Sequence, residues 1–348
     1  MAHPLLPVCT SLASLLFAGS EADLLFVGDA MQHKAQIELA RSGAGYDYSE
    51  CFADIDSIIS AADLAVVNLE TPVGRPPYSG YPCFNAPTQF ADALAEAGFD
   101  LFLTANNHTL DHGPKGLRAT IAHLDSIDKL HLGTYTCDSA RTAELPKIVN
   151  VNGFKIGFLN YTYGTNGIEP RQGVVVDYID KDLIAKDIEA SRNAGAELVA
   201  VCIHWGDEYK LLPNAAQKNM ADFLEKQGVD LIIGAHPHVI QPMEFRTNRY
   251  FPDKNVFLVY SLGNFVSNMK TADTRGGVMA HVTICRDDVG RAHIKAASYR
   301  LLFTMADKFK VLEADSVKSQ LWKGKAKAFS DRARDIFDKH NVCVPEYK

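Results

Sequence analysis

Five times along the chain an acid and a leucine open a short apolar run that closes on a polar cluster. Asp23-Leu24 leads to Gly28-Asp29, Asp63-Leu64 to Asn68-Leu69-Glu70, and Asp100-Leu101 to Asn106-Asn107-His108. Glu197-Leu198 then leads to His204-Trp205-Gly206, and Asp230-Leu231 to Gly234-Ala235-His236-Pro237-His238. Two more apolar runs occupy 155–159 and 256–261. Runs with so little polar alternation suit strands covered on both faces. Amphipathic stretches separate them, with Phe52, Ile55, Ile58, Ile59 and Ala62 as one stripe at three- and four-residue spacing. Leu117, Ile121 and Leu124 form a second stripe, and Ala216, Met220, Phe223 and Leu224 a third. Gly98, Gly195 and Gly228 are placed to stop the preceding helices. Strand and helix alternating in this way predict a layered α/β architecture. If the strands are neighbours running in one direction, all five clusters emerge along one carboxyl edge, where open α/β sheets bind ligands.

The pooled clusters hold Asp29, Glu70, Asn107, His108, His204, His236 and His238. Carboxylate and imidazole groups without cysteine suit Mn, Fe, Zn or Mg, not a structural thiolate site. One carboxylate between two groups of N and O donors is what a two-metal centre requires, though the site could hold one divalent ion or two. His236-Pro237-His238 places two imidazoles two residues apart, facing one way if Pro237 keeps the segment extended. A chain of 348 residues buries enough surface to fold without a metal, so such a site is free to do chemistry. The seven cysteines show no CxxC spacing, which supports neither a zinc ribbon nor a disulfide framework, and Cys202 reads as a small buried hydrophobe. With 35 basic against 42 acidic residues and no basic block, nucleic acid is not expected as a partner.

FVGDAM, VVNLETP, TANNHTLDHG, IHWGDEY, GAHPHVIQP and YSLGNF, in this order over roughly residues 23–267, resemble the CapA family of bacterial capsule synthesis proteins. The resemblance implies the α/β/β/α sandwich of calcineurin-like metallophosphoesterases and a link to poly-γ-glutamate. By position, Asp29 looks like the first-strand ligand, Glu70 like the bridging carboxylate and Asn107 like the asparagine ligand. His204, His236 and His238 look like the remaining imidazole ligands, and His108 like the group that protonates a leaving group. Three positions depart from the wider superfamily pattern: Met31 stands where a histidine ligand is usual, Glu70 where Asp is usual, and Thr109 where an acid follows the histidine. Asp111 is close enough to replace that acid, and His33 is a candidate for the missing imidazole.

Weaker candidates for substrate contact or support are Asn68, Glu208, Asn264 and Arg275, with Asp207 and Arg75 behind them. The expected chemistry is metal-dependent hydrolysis or transfer on an anionic phosphoester or γ-glutamyl substrate, small or polymeric, with metal-bound hydroxide as nucleophile and His108 as general acid. The rival is a non-catalytic accessory protein that binds or exports capsule polymer alongside the synthesis or export machinery. Residues 1–20 read as a signal peptide through the apolar stretch from Leu5 to Ala18, which predicts an exported protein. The phosphoesterase-type domain is expected over 21–303, followed at 304–348 by a helical extension packed on the core, with its helix between Ser316 and His340.

Overall fold

The computed structural model describes residues 21–347, so the expected signal peptide lies outside the described residues. Two mixed sheets are stacked face to face. The first runs, in spatial order, Lys310–Glu313, Ala292–Met305, Gly276–Arg286, Glu21–Ala30, Leu64–Leu69, Leu101–Leu103 and Leu130–Leu132, with Asn264–Val266 also paired to Glu21–Ala30. Its last four strands in that order are mutually parallel. The second sheet runs Lys147–Val151, Phe154–Thr162, Leu198–His204, Leu231–Ala235, Asn255–Val259 and Met243–Thr247, with the middle four parallel.

Alternation along each strand builds the layers. Leu24, Phe26, Leu64, Val66 and Leu101 meet Ile156, Phe158, Ala200, Cys202 and Ile233 in one core between the sheets. The intervening residues Leu25, Val27, Ala65, Val67 and Phe102 face outward against Phe52, Phe90 and Leu94. On the far side, Leu159, Val199, Val201 and Ile232 pack on Ile184 and Ile188 of helix Lys181–Asn193 and on Ala221 and Leu224 of helix Ala215–Lys226. Period two with both faces covered yields helix, sheet, sheet, helix. Gly98, Gly195 and Gly228 each follow a helix at positive φ, as expected of C-terminal stops.

Three readings of the sequence need correction. The five repeated strands do not form one sheet edge; three belong to the first sheet and two to the second. The stripe at 52–62 is not one helix but two single turns, Ser49–Phe52 and Asp56–Ile59, joined by i+3 bonds such as Ile55 N to Phe52 O at 2.9 Å. The first sheet also continues past residue 303, because Ala292–Met305 crosses that point and Lys310–Glu313 adds a further strand. The C-terminal helix, Lys323–His340, buries Phe329 against Phe303 and Phe337 against Tyr299.

The acid that opens each repeated run binds a neighbouring strand. Asp63 accepts from Asp23 N (2.8 Å), Asp100 from Ala65 N (3.0 Å), Glu197 from Lys155 N (3.0 Å) and Asp230 from Val199 N (2.9 Å). Each carboxylate therefore satisfies an amide at the amino edge of its sheet. Asp230→Ala leaves the buried Val199 amide without an acceptor, an expected loss of about 1–3 kcal/mol. Thermal or denaturant unfolding checks this, and Asp230→Asn, which keeps an acceptor oxygen, should lose less.

Candidate metal centre

All five polar clusters converge where the carboxyl ends of the two sheets meet. Asp29 stands at the end of Glu21–Ala30, re-aimed by a bulge at Gly28 where the pairing with Leu64–Leu69 shifts register. A Cβ at Gly28 would lie 1.9 Å from Gly263 O, so only glycine lets the 262–266 segment come this close. That approach sets Asn264 beside Asp29, with Asp29 N bonded to Gly263 O at 3.0 Å. Asn160 ties the two sheets just beneath, accepting from Ala105 N at 2.8 Å and donating to Cys202 O at 3.2 Å.

Asp29 and Glu70 are both fully buried. Asp29 is well compensated: Asn68 donates to Oδ1 at 2.7 Å, His236 N to Oδ2 at 3.3 Å, and His238 Nδ1 lies 3.2 Å from Oδ2. Glu70 has no hydrogen bond to either oxygen; His204 Nε2 and His238 Nε2 stand 3.6 and 3.8 Å from Oε1. Two groups of buried donor atoms, Asp29-Glu70-His204 and Glu70-His236-His238, each lie within 4.8 Å of one another, and Glu70 belongs to both. Donors at this spacing fit a divalent cation, and the orphaned carboxylate shared between them is the group a cation would satisfy best.

Electrostatics follow from this arrangement. Burial first, then Asp29, pushes the Glu70 carboxyl well above the usual range. Burial holds His204 far below its ordinary value and His236 down to about 4, both with further lowering from neighbouring imidazoles. Burial also acts to lower His238, but Asp29 outweighs it and leaves that imidazole raised. His204 and His236 are thus neutral at physiological pH, as ligation demands.

The remaining candidates separate clearly. Asn107 Oδ1 lies 2.8 Å from His204 Nε2, Asn68 Nδ2 lies 3.3 Å from His204 Nδ1, and Asn264 Oδ1 lies 3.0 Å from His238 Nδ1. His108 Nδ1 sits 2.7 Å from Asp111 Oδ2, which also accepts from Phe84 N. Glu208 is exposed, yet acts electrostatically on Glu70, His236 and His238. Asp207 instead holds Asn214, the cap of helix Ala215–Lys226. Arg275 is not among these groups: its guanidinium lies over Trp322 at 4.8 Å. His33 is in neither donor group, its Nδ1 facing Gln36 Oε1 at 3.2 Å and Asn268 N at 3.3 Å.

The His-Pro-His segment is not extended. His236 and His238 adopt φ of 99° and 56°, a costly backbone that bends the chain so that its amide reaches Asp29 while both rings still face the cluster. Sequence reasoning missed Asn166, whose amide contacts both Asn107 (3.3 Å) and His108 (3.4 Å), and Phe84, packed edge-on against His108 at 4.6 Å. Both sit in loops without periodicity; the Gly164 and Gly167 flanking Asn166 are the one local cue.

The model of the bacterial capsule synthesis protein PGA_cap matches residues 23–269, most of the chain and all of the converging clusters. The chain belongs to this family. It is 28% identical over 324 residues to the capsule biosynthesis protein CapA of Bacillus anthracis, covering 87% of this chain and 75% of the relative. It is 26% identical over 277 residues to the PGA biosynthesis protein CapA of Bacillus subtilis (strain 168), covering 77% and 69%. Among solved structures it resembles the NAD nucleotidase of Haemophilus influenzae (TM-score 0.51, 13% identity, 94% of this chain). It also resembles a putative 5'-nucleotidase from Staphylococcus aureus (TM-score 0.52, 15% identity, 90% of this chain). The chain spans 58% of the length of each of these two, and the likeness establishes the metallophosphoesterase-type sandwich.

Removing the charge of Glu70 separates stability from metal binding. The folded-state pKa is raised, so the unfolded chain holds fewer protons above about pH 4.5 and the metal-free protein loses stability as pH rises through that window. Glu70→Gln should therefore raise the melting temperature of the metal-free protein at pH 7–8 and abolish its further rise on adding Mn²⁺, read by calorimetry. In the unsubstituted protein, metal affinity should fall as pH drops, since protons compete for the raised Glu70 and His238; titrations at pH 8 and 5.5 test this.

Proposed function

We propose that this capsule synthesis family member is a metal-dependent hydrolase or transferase of an anionic phosphoester or γ-glutamyl substrate. The observation that carries this reading is the buried Glu70 carboxylate, unbonded at both oxygens and shared by two groups of donors. Asp29, Glu70, Asn107, His204, His236 and His238 would hold one or two divalent ions. Such an ion supplies an acidified water as nucleophile and positive charge against the developing oxyanion.

The chain's own residues supply the rest. Asp111, at 2.7 Å from Nδ1, fixes the His108 ring and leaves Nε2 to donate a proton to the leaving group. Phe84 packs on that ring and Asn166 bridges it to Asn107, so the imidazole has little freedom to turn away. Asn68 and Asn264 orient the carboxylate and imidazole they touch, the supporting role that outer hydrogen bonds play around metal ligands. Asn68 and Asn264 thus support ligands in this reading, and an anionic group of the substrate would be held by the ion that those ligands bind.

In this reading the protein works with capsule synthesis or export machinery on the exported side of the cell. The apolar opening of the sequence and the capsule role named for its relatives support that placement. Among the described residues no helix is long and apolar enough to cross a membrane.

Turnover of an aryl phosphodiester and of poly-γ-glutamate by Mn²⁺-loaded protein tests the proposal. His108→Ala should lower turnover about 10²–10⁴-fold with metal content unchanged. Asp111→Asn should lower it less, because the amide oxygen still accepts from Nδ1 and only the negative charge is lost. Bound metal with no turnover of either substrate would favour the accessory, polymer-binding reading instead.

A further inference from the structure

Three of the exposed large side chains are tyrosines grouped over the candidate centre: Tyr81 (75% exposed), Tyr163 (48%) and Tyr209 (54%). Single exposed aromatics need no explanation, but these reach one place from three different segments. Tyr163 follows the strand Phe154–Thr162; its ring lies 4.6 Å from His236 and nearly parallel to His204 at 6.3 Å. Tyr209 follows the strand Leu198–His204, and its ring lies 6.2 Å from that of His238. Tyr81, from the loop between Val73–Gly74 and Ala86–Pro87, stands edge-on to Phe84 at 6.3 Å, and Phe84 in turn touches His108.

The backbone is strained to present one of them. Tyr209 has φ +64°, a conformation bulky residues rarely adopt, and it is pinned there by Tyr209 N to Pro237 O at 2.8 Å and Gln241 Nε2 to Lys210 O at 2.7 Å. Such strain persists where the surroundings over-determine it, and it clusters at ligand clamps.

We propose that Tyr81, Tyr163 and Tyr209 form a collar that takes a ring carried by the substrate next to its anionic group. This rests on the metal-dependent reading above and narrows its substrate class. Aromatic faces give affinity to flat rings and to the CH face of saturated ones, whereas neutral phenols offer little to a flexible acyclic chain. A polymer bearing a carboxylate on every unit would also have to pass the exposed Glu208 and Asp207, and like charges across a contact disfavour it.

Calorimetric titration of Mn²⁺-loaded full chain with methylphosphonate, cyclohexylphosphonate and phenylphosphonate, none of which offers a scissile ester, tests the collar. A ring should improve affinity about tenfold over methylphosphonate. Tyr81→Ala and Tyr209→Ala should each erase most of that gain while leaving methylphosphonate affinity unchanged. Tyr81, mostly exposed, serves as the variant with no burial to lose. A gain with phenyl alone identifies a planar ring, and a gain with both rings a sugar-like one. Equal affinity for all three, or a ring gain that survives both substitutions, overturns the collar and leaves the metal reading intact. Poly-γ-glutamate binding weakened by the same substitutions, without ring preference, overturns it in favour of the polymer. Mn²⁺-loaded protein that binds no phosphonate would overturn the collar and the underlying reading together.

Discussion

Two carboxylates buried side by side at the seam between the sheets set the terms for everything around them. A buried charge is costly unless it is paired and hydrogen-bonded. Asp29 meets that demand with an amide from its own sheet and an imidazole and a backbone N–H from the segment following a strand of the other. Glu70 does not, and the nearest imidazoles stop 3.6 Å away or farther. The seam is therefore both the place where the sheets are held in register and the place where negative charge is left over. A divalent cation bound there would offset that surplus, while three apolar layers carry the fold.

The same strands that end in the candidate centre begin in a row of acids, and the two ends have different duties. At the amino edge four of the five carboxylates accept a backbone N–H of the adjacent strand, and Asp23 accepts from the Thr283 hydroxyl. At the carboxyl edge the side chains turn to one another and bring two groups of metal-type donors together. This division lets the carboxyl edge tolerate strained residues such as His236, His238 and Tyr209, because strand pairing is secured elsewhere.

Much of this was legible before any coordinates. Apolar runs capped by polar residues placed the strands to within a few residues, and the residues at their tips are those the fold brings together. What stayed hidden depends on partners remote in sequence. A run covered on both faces does not say which sheet covers it, so the division of five strands into three and two could not be read locally. The turn at His236 exists because its amide finds Asp29, more than two hundred residues earlier. Asn166, Tyr163, Tyr209 and Phe84 lie in loops, where no period marks a side chain as facing inward.

The departures from the superfamily pattern resolve differently, and geometry explains why. His108 and Asp111 belong to one turn, with Asp111 N bonded to His108 O at 3.0 Å. Residues three apart in a turn face each other, while immediate neighbours do not. An acid at 111 can therefore meet Nδ1, and Thr109 costs that pair nothing. Met31 has no such substitute. It is buried, with its amide bonded to Val266 O, and the nearest imidazole along the chain, His33, is engaged by Gln36 and Asn268. Glu70, standing where the shorter acid is usual, belongs to both donor groups from one position.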